Sequence, residues 1–220
     1  MGSMENIINT LFGEGTNTVD IVILLTVLTL LPSIVLMMTS FTRIVIVLGF
    51  LRNAMGMQQA PPNQVVVGLA LFLTMFVMGS TLTEIYDTAY TPYSEGEITQ
   101  DEFFDRAMIP ARSWMRNQTY QTDMDFFIGM SGGEFDSYEE VPDNILIPAF
   151  MTSEIKHAFQ IGFFIYIPFI VIDMIVASTL MAMGMMMLPP AMISLPFKII
   201  LFVLADGWTL TISALVQSFH

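Results

Sequence analysis

Long stretches without charge limit what this chain can fold into. The first, Ile21 to Thr42, is 22 residues with no acid or base. A helix rises about 1.5 Å per residue, so such a stretch can cross a hydrocarbon core of roughly 30 Å. A second, Val65 to Thr83, holds 19 uncharged residues. Two more apolar stretches run from about Ser153 to Leu188 and from about Ala191 to Gln217. In lipid every backbone N–H and C=O has to be satisfied internally, which favours helices. Of 220 residues, 54% are hydrophobic and 12% charged, and the mean hydropathy is +0.67. Ordinary soluble domains carry about 25% charged residues. The class implied is an all-α, membrane-associated protein.

Breaks between the stretches divide the chain into four parts. Residues 1–18 form a polar N-terminal tail, whose opening Met1-Gly2-Ser3 reads as a cloning scar. No secretory leader precedes Glu5, so any natural signal peptide is expected to have been trimmed. Residues 19–83 read as a first helical hairpin that turns at 53–63, because Pro61 and Pro62 cannot continue a helix. Residues 84–146 read as a small, partly helical polar excursion. Residues 147–220 read as a second hairpin, turning at the methionine-rich joint before Pro189 and Pro190.

The first element poses a length problem. Its apolar character resumes after Arg43 and runs to Leu51, which as one helix would measure about 46 Å. That exceeds a perpendicular span, so either Pro32 kinks it or part of it packs inside protein. In the excursion, Thr99-Gln100-Asp101-Glu102 fits a capping box and predicts a helix to about Asn117. Ser131-Gly132-Gly133 predicts a break. Ser153, followed by Glu154, reads as the N-cap of the third apolar stretch.

Charge is unevenly distributed. The net charge is −13, and 14 acids but only three arginines fall between Glu84 and Asp143. No basic patch is available for phosphates, which argues against nucleic acid as a partner. Arg52 flanks the short 53–63 turn, and the acids lie on the other side. The positive-inside rule then puts the turn in the cytoplasm and 84–146 outside. There is no cysteine, so disulfides and thiolate metal sites are excluded. HExxH, P-loop, GxSxG and CxxC motifs are missing, and His157 and His220 stand far apart. The chain is therefore expected not to be an enzyme and to need no cofactor or metal.

Asp173, Lys198 and Asp206 interrupt the second hairpin. A charge at the centre of a membrane helix costs about 2.5–3.5 kcal/mol on insertion scales. Such groups either line a pore or proton path, or form a buried pair that fixes packing. In an uninterrupted hairpin turning at Pro189, Asp173 and Lys198 would differ in depth by about 12 Å. Pairing then requires either that the helix ends near Met181 and 182–190 form a loop, or that neighbouring copies supply the partner.

Twenty methionines are present, and Met181, Met183, Met185, Met186 and Met187 cluster at the joint. Methionine is unbranched and fills gaps of changing shape. A ring of them can seal a pore, since hydrophobic constrictions exclude water and ions. The alternatives are ordinary core or lipid-facing residues, or thioether ligation of copper. Gly184 within the run favours a bend.

Three segments carry a family resemblance: TSFTRIVIVLGFLRNAMGMQQAPPNQVVVGLALFLTMFVM (39–78), IPAFMTSEIKHAFQIGFFIYIPFIVID (147–173) and MAMGMMMLPPAMISLPFKIILFVLADGW (181–208). They resemble the FliP family of flagellar type III export-gate proteins, relatives of the virulence protein SctR. The tail and the acidic middle match less closely. The resemblance implies a pore-forming subunit of the flagellar basal body in the bacterial inner membrane. It would conduct unfolded flagellar proteins as a homo-oligomer with FliQ-like and FliR-like subunits, beside FlhA-like and FlhB-like export proteins. By the same resemblance, Met181 to Met187 would close the channel, and Asp173 and Lys198 would be the family's charged helix positions. Arg43, Glu154 and Asp206 are the other polar positions at membrane depth or at an interface. A virulence-type secretion homologue and a stand-alone ion or solute transporter are the competing readings.

Overall fold

The computed structural model describes residues 25–26, 29–30, 32–33, 36–57, 60–185 and 187–219. The tail 1–18, Gln58, Gln59 and Met186 lie outside the described residues. Residues 1–37 and 38–220 form two separate units. In the first, Leu25, Thr26, Thr29, Leu30, Pro32, Ser33, Leu36 and Met37 are helical.

The second unit is a sequence of helices, and no strand occurs among the described residues. They are α1 (Phe41–Ala54), α2 (Asn63–Val77), α3 (Gly79–Ile85), a π-helical turn (Tyr86–Tyr90), α4 (Thr91–Ser94), α5 (Gln100–Gln118), α6 (Gln121–Ser131), α7 (Asp143–Ala182), α8 (Pro190–Leu204) and α9 (Gly207–Gln217). The expected all-α class is what the structure has.

The first apolar stretch is not one long helix. The chain leaves helical geometry at Met38 and re-enters it at Phe41. The Thr39 hydroxyl accepts from the Phe41 N–H at 3.4 Å, a local bond that competes with helix continuation. The long helix is instead α7, with 40 residues and a length of about 60 Å. It starts at Asp143, ten residues before the expected N-cap Ser153. Arg112 explains the start: its Nε and Nη2 each donate to the Asp143 carboxylate at 2.7 Å. An acid there also faces the positive end of the helix dipole. Ser153 is fully buried in mid-helix.

The other signals behave as read. Thr99 caps α5 in a complete capping box with Glu102. Gly132, at φ 68°, ends α6 in the left-handed region, where a Cβ is disfavoured. Residues 84–146 therefore hold the end of α3, the π-helical turn, α4, α5, α6 and the first turn of α7.

Three buried clusters hold the unit together. Ile44, Val47 and Leu48 of α1 pack with Val66 and Ala70 of α2, Ala158 of α7 and Leu215 of α9. Met115 and Met124 pack under the start of α7 with Leu146 and Phe150. Leu51 and Ala54 close the far end of α1 against Phe169 and Phe202. The α1–α7 contact is close because position 162 is glycine: a Cβ there would sit 2.5 Å from Phe50 Cδ2.

Much apolar surface is left uncovered. Phe72 and Phe76 on α2 are 74% and 72% exposed, and Phe163 and Phe164 on α7 are 63% and 69% exposed. Patches this large mark contact with lipid or protein. Among the described residues, α7 alone is long and apolar enough to cross a membrane as a single helix. The pairs α2 with 79–94 and α8 with α9 pass the same test only as spans bent by 67° and 66°.

Candidate functional site

The methionine joint is a loop with a defined local structure. Helix α7 ends at Ala182, and Gly184 adopts φ +76°. The Gly184 N–H donates to the Met181 carbonyl and the Met185 N–H to the Leu180 carbonyl, both at 3.0 Å. This is the Schellman pattern, which satisfies the last carbonyls of a helix and needs a residue that tolerates positive φ. Pro190 then opens α8 in its first turn, where a missing N–H does no harm. Between these two devices the side chains face outward. Met181 and Met183 are each 58% exposed, Met185 38% and Met187 98%. Met186 lies outside the described residues.

The loop makes the depth argument work within one chain. Asp173 lies nine residues before the end of α7, and Lys198 eight residues after the start of α8. Their side chains meet, Lys198 Nζ donating to Asp173 Oδ2 at 2.6 Å. Ser194 Oγ donates to the other carboxylate oxygen at 2.5 Å. Lys198 also donates to the Ala54 carbonyl at 3.2 Å, one of the unsatisfied carbonyls at the end of α1. A single ammonium thus ties α1, α7 and α8 together just below the loop.

Arg43 and Glu154 form a second centre. Both side chains are fully buried and form an ion pair. Arg43 Nε donates to Glu154 Oε2 at 3.0 Å, and Nη2 donates to Oε1. The remaining donors reach the Ser218 carbonyl at 2.7 Å and Gln118 Oε1 at 3.2 Å. The guanidinium lies 3.9 Å from the Phe219 ring centroid. The planar fork of arginine suits such multiple engagement. Burying a charge demands this degree of compensation.

A third centre carries no sequence signal. Asp123, almost fully buried, accepts from Ser153 Oγ at 2.8 Å and forms an ion pair with Lys156. The Tyr120 ring stacks on His157 at 4.2 Å, with its hydroxyl 3.0 Å from Nδ1. These contacts pin α6 to α7 across some 30 residues of sequence, so no local pattern could reveal them.

Asp206 belongs to none of these groups. It is exposed, sits at φ 50° between α8 and α9, and its side chain makes no capping bond. Gly207 next to it is required sterically, since a Cβ would lie 2.1 Å from Phe202 Cδ2. Among the described residues no three or more His, Cys, Asp or Glu side chains are grouped to hold a metal ion.

Buried charges that join helices, together with a broad uncovered apolar surface, define an all-α membrane protein built to be surrounded by other apolar matter. Residues 24–215 match the FliP family profile, and the chain belongs to that family. It is 54% identical over 206 residues to the flagellar biosynthetic protein FliP of Pectobacterium carotovorum, covering 93% of this chain and 80% of that one. The flagellar biosynthetic protein FliP of Bacillus subtilis is 51% identical over 205 residues, with 93% of each chain covered. That of Buchnera aphidicola from Acyrthosiphon pisum is 48% identical over 222 residues, with 99% of this chain covered. Only 59% of that longer relative is spanned.

Proposed function

We propose that this chain is a pore-forming subunit of the flagellar type III export gate in the bacterial inner membrane. In this reading unfolded flagellar proteins pass through an assembly of several copies with FliQ-like and FliR-like subunits, next to FlhA-like and FlhB-like proteins. The loop from Met181 to Met187 closes the channel at rest. Residues 84–146 lie on the extracytoplasmic side.

One observation carries the reading. The loop holds flexible apolar side chains outward, Met187 at 98% exposure, while the helices behind it are clamped by Asp173, Ser194 and Lys198. Soft side chains on a fixed frame suit a seal that yields to a passing chain and then recloses. Flagellar rather than virulence secretion is supported by the names of the relatives above. A stand-alone transporter would need Asp173 and Asp206 on one path, whereas Asp173 is engaged by Lys198 and Ser194.

The test is conductance of the chain reconstituted with its partners in a planar bilayer. Changing Met185, Met186 and Met187 together to alanine is expected to leak small ions while export continues in cells. A conductance identical to that of the unaltered assembly would rule out the loop as the seal.

A further inference from the structure

Arg52 closes the last turn of α1. Arg43, Arg112, Lys156 and Lys198 each hold a carboxylate. Among the described residues Arg52, Arg106 and Arg116 hold none, and the Nε of Arg52, like that of Arg116, is shielded from solvent without a hydrogen-bond partner. No Asp or Glu occurs between Asp20 and Glu84. The acid nearest in sequence to the facing wall, Asp206, forms no ion pair with it among the described residues.

Beside Arg52 lies a cavity of about 290 Å³ between α1, α2 and α9, lined by Leu48, Val66, Leu69, Trp208 and Ile212. Arg52 is the one charged residue among those that line it. A shielded donor without an acceptor is destabilising, so the site asks for an anion. The apolar walls ask for that anion to bring a hydrocarbon body. A free phosphate has no such body.

We propose that this cavity binds one anionic phospholipid of the bilayer, with an acyl chain along Leu48, Val66 and Leu69 and the phosphate on Arg52. Three general regularities agree. Basic pockets between membrane helices take lipid head groups, arginines near helix ends reach to the head-group level, and tryptophan concentrates there. Trp208, 40% exposed, stands at the cavity wall. The lipid would mortar α1, α2 and α9 at the turn end of the first hairpin. The inference does not depend on the pore reading, because the whole site lies within one chain.

The test uses the purified full chain in phosphatidylcholine nanodiscs. Phosphatidylglycerol or phosphatidylcholine carrying a photoactivatable acyl chain is added, and adducts are mapped by peptide mass spectrometry. Phosphatidylglycerol is expected to label 48–69 and 208–212 several-fold more than phosphatidylcholine. Arg52→Gln should erase that preference and Arg52→Lys keep most of it. Leu69→Trp, which fills the cavity, should suppress labelling by both lipids and serves if Arg52→Gln does not fold. Equal labelling by the two lipids, unchanged labelling in Arg52→Gln or Leu69→Trp, displacement by inorganic phosphate, or a cross-link to a second copy in place of lipid would each overturn the proposal.

Discussion

Arg43 and Glu154 lie 111 residues apart in sequence and meet as a fully buried, two-pronged ion pair. Through the other donors of Arg43 the same junction takes in Gln118 and Ser218. Removing one member leaves the other charged and uncompensated, which costs about 3–5 kcal/mol. Arg43→Met and Glu154→Leu are each expected to lower stability by that order. The double change should cost clearly less than the two losses added together. Thermal unfolding in detergent measures this, and strictly additive losses would show that the pair is not coupled.

The second clamp should behave asymmetrically. Lys198 is 7% exposed at its side chain and Asp173 39%. After Lys198→Met the carboxylate keeps Ser194 and access to its surroundings. After Asp173→Leu the ammonium is left buried with only the Ala54 carbonyl. Asp173→Leu is therefore the more damaging change, by about 1–2 kcal/mol given the usual penalty for an unpaired buried charge. Equal losses in paired unfolding measurements would contradict the burial difference.

Gly162→Ala tests the close crossing of α1 and α7. The added methyl would press on the Phe50 ring near its root, at Cγ and Cβ as well as Cδ2. Overpacking of this kind costs about 1–3 kcal/mol. Phe50→Ala in the Gly162→Ala background is expected to recover part of the loss. Absence of any rescue would place the strain elsewhere.

Acid should loosen the start of α5. The Thr99 backbone N–H, and then its hydroxyl, hold the Glu102 carboxyl below its ordinary value. A lowered folded-state value means that the stabilisation is complete above the ordinary glutamate range. It is lost as pH falls through the depressed value. Amide protection at the first turn of α5 should therefore fall over that acid window. It should no longer respond to pH there in Glu102→Gln.

What the sequence revealed and what it hid follow one physical division. Thr99 and Glu102, Gly132, Gly184 and Pro190 act through neighbours a few residues away, and all were readable. The Asp173–Lys198 contact was readable as a condition, since depth counting required either a loop at 182–190 or a partner from a neighbouring copy, and the structure has the loop. Ser153 misled because its real partners, Asp123 and the Tyr120 N–H, lie some 30 residues upstream. A serine before a glutamate looks like a cap until that partner is known. The break at 38–40 was legible only as an excess of length: the sequence offered Pro32 as the kink, whereas the chain leaves helical geometry at Met38.

The length of α7 has a mechanical meaning. Its first turns are bolted to α5 and α6, and its last turn carries the methionine loop. One continuous helix about 60 Å long is therefore a strut: Arg112 holds its start, α1 packs along its middle, and Lys198 holds it near the loop, so it fixes the spacing between the acidic segment and the methionines.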